Sequence, residues 1–209
     1  MIRGIERFAA LTGAVFAVLV FLSFVIEGEP PDLDGPVEEV VAFYVDNDTD
    51  VLIASVLATL ATVMLIFFAA SVRRTMREHE GEGGVLSAAA FGGGIVAAAG
   101  IGVDSAIRFA LAESADDVSP DALQALFAVW SNFFWPIVAG MATLILALGL
   151  SALSTRVIPP WLAWIGFLIA ILLFTPAGFF AVLAVLAWTL IVSILLWRYD
   201  VAAVSTRSP

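Results

Sequence analysis

The sequence predicts an all-α protein, a polytopic bundle of six transmembrane helices with the N and C termini cytoplasmic. Three observations predict it. Apolar residues fill 62% of the 209 positions and charged ones only 13%, against about 45–50% and about 25% in a soluble domain. The apolar residues gather into six runs, to be measured against the ~20 residues that cross ~30 Å of hydrocarbon. The charges between runs alternate, arginines in one set of connections and carboxylates in the other.

The runs fall at about residues 8–26, 51–72, 85–111, 132–153, 161–174 and 179–197 within a single domain. The first exceeds the 7–15 residue core of a secretory signal (roughly, by the general rule) and lacks a small-residue cleavage site, so it reads as an uncleaved anchor. An acidic segment follows. In it Asp34 is placed as an N-cap and Pro36 in the first turn. Val37, Val40, Val41 and Tyr44 recur at helical spacing with Glu38 and Glu39 turned away, which predicts a short amphipathic outer helix at about 35–46.

Asp46, Asp48 and Asp50 have the spacing that opens a calcium loop. Val51 stands where that loop needs glycine and Leu57 where it needs glutamate, so an EF-hand is excluded. Acids just before a helix instead complement its dipole and favour the start of the second span. The fourth span follows an acidic loop and a run of apolar residues. Arg156, Pro159 and Pro160 then break the chain before the fifth. Thr175-Pro176-Ala177-Gly178 has turn chemistry and separates the fifth span from the sixth. One helix in their place would leave nearly forty residues for one bilayer, more than tilt absorbs.

Orientation follows from charge. All nine basic residues are arginine. Arg3, Arg7, Arg73, Arg74, Arg77, Arg156, Arg198 and Arg207 fall on one side of six crossings, and the acids of residues 27–50 and 113–121 on the other. The positive-inside rule puts the arginines in the cytoplasm. Aromatic residues mark the interfaces: Trp161, Trp164, Trp197 and Tyr199 on the inner side, Trp130 and Trp135 on the outer. Trp188 falls near mid-membrane, where it is expected to pack between helices.

Asp104 and Arg108 are the ionisable side chains that this reading places inside a span, at a cost of at least ~2.5–3.5 kcal/mol each at a helix centre. Their i, i+4 spacing with the acid first suits a same-helix ion pair, and Arg108 also has the reach to snorkel to headgroup phosphates. The pair is therefore either a self-neutralised orienting device or a ligand or ion site. In the same span Ala90, Gly94, Ala98 and Gly102 form a ladder of small residues that lets helix backbones approach closely. Packing explains the ladder; the functional alternative makes Gly92–Gly94 a hinge or broken-helix site. Ser131, Asn132 and Pro136 form a second polar spot. Pro136 is expected to kink the fourth span and free a carbonyl that Asn132 could satisfy. A ligand pocket is expected between the third and fourth spans at the outer side, near Asp104, Arg108 and Asn132.

Inventory excludes much else. The sequence has no Cys and a single histidine, His79, so no thiolate, haem or three-histidine zinc centre is expected, and no cofactor or metal. No serine or threonine has an evident His or Lys base. A net charge of −10 opposes nucleic-acid binding. The expected partners are membrane lipids, with a second copy or another membrane protein as the remaining possibility.

Several segments carry a resemblance: Phe43-Tyr44-Val45-Asp46-Asn47, Leu86-Ser87-Ala88-Ala89-Ala90-Phe91-Gly92-Gly93-Gly94, Ser131-Asn132-Phe133-Phe134-Trp135-Pro136, Pro160-Trp161-Leu162-Ala163-Trp164-Ile165-Gly166 and Thr175-Pro176-Ala177-Gly178-Phe179. Together they resemble the uncharacterised small multi-pass, six-span membrane proteins common in high-GC actinobacteria. The resemblance implies a multi-pass protein of a bacterial inner membrane and no particular chemistry; residues alone extend the setting to a bacterial or archaeal plasma membrane.

The functional expectation is a non-enzymatic membrane protein that scaffolds, senses, or binds a lipid or partner. The alternative is a small-solute transporter or channel using an Asp104/Arg108 site. A membrane-embedded enzyme ranks third, for want of a nucleophile and base.

Overall fold

The computed structural model describes residues 2–81, 83–176 and 178–205, with side chains described outside 2–7, 179 and 200–205. Glu82, Ala177 and Arg207 therefore lie outside the described residues, as do the side chains of Arg3, Glu6, Arg7 and Asp200, on which part of the charge reading rests. Among the described residues eight helices follow one another: α1 Ile2–Glu27, α2 Val37–Asp46, α3 Asp48–Arg77, α4 Val85–Ser114, α5 Pro120–Ser131, α6 Trp135–Thr155, α7 Pro160–Leu172 and α8 Gly178–Ser205. There is no strand among the described residues.

Five helical stretches among the described residues are long and apolar enough to cross a membrane: Phe8–Glu27, Asp48–Arg77, Val85–Ser114, Pro120–Thr155 and Phe180–Tyr199. The fourth joins α5 to α6 through a turn at residues 132–134. Helix α7 has 13 residues, a length of roughly 20 Å at 1.5 Å per residue, about 10 Å short of the hydrocarbon thickness.

Helices α1, α3, α4, α6, α7 and α8 form a ring in chain order, each packed on the next, with α8 returning to α1. Their inward faces make one apolar core. The outward faces keep large apolar side chains exposed, Ile53, Val56, Leu60 and Phe67 on α3 and Trp164, Leu168 and Ile171 on α7 among them. A rim of this kind suits lipid rather than water. At one end α2 and α5 pack together over the start of α3 and the end of α4. They enclose a second, smaller core of Val40, Tyr44, Val51, Leu111, Leu123 and Phe127.

Small residues bring α4 against two neighbours at once. The predicted ladder faces α3, where a Cβ on Gly94 would strike Ala69 and one on Gly102 would touch Thr62. A second column one residue over faces α6: a Cβ on Gly93 would lie 2.7 Å from the Gly140 carbonyl, and one on Gly140 would strike the Ala97 backbone. Helix α4 runs unbroken through Gly92–Gly94, so no hinge or helix break lies there.

Three local expectations are corrected. Helix α2 begins at Val37 with Pro36 at the cap position and no side-chain cap bond. Asp34 is left exposed before it, because Pro36, itself without an N–H, occupies the position a capping acid would need. Pro136 does not kink a span. It sits in the first turn of α6, where its missing N–H costs no helical hydrogen bond. Arg108 does not snorkel; it is 4% exposed and turned inward. At the other end Thr175 and Pro176 do lie in a turn, which Gly178 N–H closes onto the Thr175 carbonyl at 2.9 Å. Trp188 is buried, and its indole N–H donates to the Leu162 carbonyl at 2.9 Å, fastening α8 to α7.

Gly140→Ala should lower stability by about 1–3 kcal/mol, because the added methyl has no room between two backbones. Gly92→Ala, which meets nothing within 4 Å, should leave stability unchanged or raise it by up to about 1 kcal/mol. Thermal unfolding of the two detergent-solubilised variants checks the contrast.

Candidate functional site

The site forms where the two cores meet. Phe16, Val20, Ser23 and Glu27 recur along one face of α1 and are all buried. Gly28, with φ of +75°, ends the helix, and its N–H bonds the Phe24 carbonyl at 3.3 Å. That left-handed cap makes Glu27 the last helical residue and holds its side chain on the inward stripe.

Helix α4 brings Asp104 and Arg108 to the same level. Arg108 Nη2 meets Asp104 Oδ2 at 2.8 Å, the i, i+4 pair that the spacing predicts. The pair is not closed on itself, because Nη1 of Arg108 binds Glu27 Oε2 and approaches the Ser23 hydroxyl at 3.4 Å. One guanidinium thus joins carboxylates from two helices, both buried or nearly so, at 4% and 18% side-chain exposure for Glu27 and Asp104.

Two residues of the outer core look onto this cluster. Tyr44 from α2 is fully buried. Its phenol is pushed above the ordinary tyrosine range, first by burial and then by the charge of Glu27. Trp130 at the end of α5 stacks on Phe127 with ring centroids 5.5 Å apart and turns its indole N–H toward Asp104 without closing a hydrogen bond. Four buried polar atoms here lack a protein partner: Glu27 Oε1, Arg108 Nε, Tyr44 Oη and Trp130 Nε1. Buried polar atoms are partnered in the great majority of cases, and four of those without a protein partner gather at this place.

Beside the cluster lies a cavity of about 470 Å³, within the usual range of small-molecule sites. Asp104, Arg108 and Ser23 form its polar wall; Ile101, Val138 and Val182 are typical of the rest. The turn between α7 and α8 contributes Thr175 and Pro176 to the wall. The short α7 therefore accounts for the space: it stops at the level of Asp104, while α4 continues for ten more residues to Ser114.

Asn132 does not join this site. It caps α5, is exposed, and donates through Nδ2 to the Ala128 carbonyl at 2.9 Å. The cavity is lined from α1, α4, α6 and α8 and by Ala58 of α3, rather than by the third and fourth spans alone. Glu27 is the residue that sequence reasoning missed, counted among the loop acids after the first span. The spacing of Val20, Ser23 and Glu27 on one helical face was the signal available. No family model matches the chain, nor does any curated protein or solved structure.

Replacing Arg108 by leucine should cost about 3–5 kcal/mol, because two buried carboxylates lose their shared cation. Combining it with Glu27→Gln and Asp104→Asn should recover part of that loss in thermal unfolding. For Tyr44 the test is titration of the Tyr199→Phe variant, which leaves one phenol. Its phenolate absorbance should stay absent where a free tyrosine titrates, at about pH 10. Since the folded state holds that proton more tightly than the unfolded chain, stability should fall as pH rises beyond that value.

Proposed function

We propose that the chain is a six-span protein of a bacterial plasma membrane, with both termini cytoplasmic, that binds a small amphiphilic ligand and performs no catalysis. The observation that carries the reading is the apolar cavity with a buried carboxylate–arginine wall. A largely apolar space with one polar corner fits a molecule with a tail and a head. Exposed apolar residues on α3 extend from Phe67 to Ile53, past the level of Ala58 in the cavity wall. Lipid would therefore surround the site, and a ligand could enter from the bilayer.

The sixth crossing on this reading is α7. Its 13 residues need not reach the outer surface, because the cavity lies beyond the turn that follows it. The side of the cavity is outer because Arg73, Arg74 and Arg77 close α3 at the opposite end and the acids of α2 and the start of α3 lie at this one.

A second reading, a small-solute transporter, is favoured by the cluster's excess carboxylate, since unbalanced ionisable groups in a membrane accompany ion and proton pathways.

Topology is tested by single cysteines in this cysteine-free sequence. Asp48→Cys and His79→Cys should react with an impermeant maleimide from opposite faces, the first from outside. Function is tested by mass spectrometry of ligand retained through purification. Val182→Phe, which fills the cavity from α8, should lower the retained ligand at least about tenfold while the protein still elutes as a folded particle; undiminished retention removes the cavity from the account. Solute flux through proteoliposomes that vanishes in Asp104→Asn would establish the transporter instead.

A further inference from the structure

We infer that the cavity takes an amphiphile with a cationic head, a protonated amine on an apolar tail. The inference rests on the ligand-binding reading above and identifies its ligand class. It begins with charge. Glu27, Asp104 and Arg108 bring two carboxylates and one guanidinium together, and Asp104 and Arg108 are the charged side chains in the cavity wall. With both acids ionised the cluster carries one uncompensated negative charge in surroundings that solvate charge poorly, where such a charge is costly.

The geometry directs a ligand to Asp104. Both η nitrogens of Arg108 are committed, one to each acid. Asp104 is the most exposed of the three and opens on the cavity. Glu27 is not in the cavity wall and reaches the cluster only through Arg108. An ammonium group supplies donors only, so at Asp104 it meets the one carboxylate in the wall and cancels the excess charge in one step. The unpaired Nε of Arg108, taken alone, invites an anion. An anionic head would add a third negative charge beside the two already there, and the single cation is shared before it arrives. The wall around this corner, from Phe16 and Val20 to Val185 and Leu186, suits an alkyl or aryl tail, whereas Asp104 is the one carboxylate it offers a free inorganic cation.

A proton on Glu27 or Asp104 would neutralise the same charge, and the experiment separates the two. Protein in maltoside micelles is titrated with 8-bromooctylamine, 8-bromooctanol and 8-bromooctanoate at neutral pH, and bromine quenching of tryptophan fluorescence is followed, Trp130 being the nearest indole to Asp104. The amine should quench saturably and at least about tenfold more tightly than the alcohol, with the carboxylate weakest. Asp104→Asn should erase the preference and Asp104→Glu should keep it. If Asp104→Asn does not fold, the ranking of the three probes on the native protein decides the matter.

Equal binding of amine and alcohol overturns the cationic head and leaves the cavity as a neutral amphiphile site. Tightest binding of the carboxylate overturns it in favour of an anion site on Arg108. Quenching that is unsaturable for all three, and unchanged in Val182→Phe, rejects the binding cavity itself.

Discussion

A guanidinium removed from water inside an apolar bundle must find its counter-charges within the protein, and Arg108 finds them on two helices. That constraint organises the end of the molecule where the cavity lies. Had Arg108 paired with Asp104 alone, the charge would have been settled within one turn of α4 and would have tied nothing together. By also reaching Glu27 it fastens the last turn of α1 to α4 across the ring. Directional attraction matters here because between apolar helices in lipid the hydrophobic effect gives little preference for one contact over another. The cost of burying three ionisable groups is large, and a buried ion cluster is weak evidence of selection for stability. The cluster sets two carboxylates against one guanidinium beside the cavity.

The same end is shaped by what the small residues of α4 permit. With Gly94 against Ala69 on one side and Gly93 against Gly140 on the other, α4 lies close to α3 and α6 without side chains between them. Close packing of this kind fills the middle of the ring. It leaves space only where an element ends early, as α7 does, or where a polar corner keeps apolar side chains away, as Asp104 and Arg108 do. The cavity stands at the meeting of both conditions.

Much of this was legible in the residues. Helix positions in lipid are set by long apolar runs and by charges that cannot enter them, both local properties of sequence, so α4 and α6 lie within a few residues of the expected runs, while α3 and α8 continue past them to Arg77 and Ser205. The Asp104–Arg108 pair was legible because i, i+4 geometry is local too. Glu27 was not, because its role depends on α1 and α4 facing each other across the ring, and the sequence distance between them carries no trace of that. Asp34 and Pro136 went astray for a different reason. Each has two permitted positions near a helix start, and a shift of two or three residues in that start decides between them. Asn132 followed Pro136: once α6 begins at Trp135, Asn132 belongs to the end of α5 and turns its amide back to Ala128.

The outer helices α2 and α5 bear on why such a cluster can persist at all. Tyr44 and Trp130 come from these two short helices, and each presents a buried polar atom that the protein leaves unpaired. If the helices only covered the ends of α3 and α4, phenylalanine would serve in both places without an orphaned donor, and an apolar replacement of an unsatisfied group is commonly neutral or stabilising. Amphipathic rings instead cover the ion cluster while turning polar tips toward it. The cap and the cluster are then parts of one arrangement, in which the outer core limits the hydration of charges that stand beside the cavity.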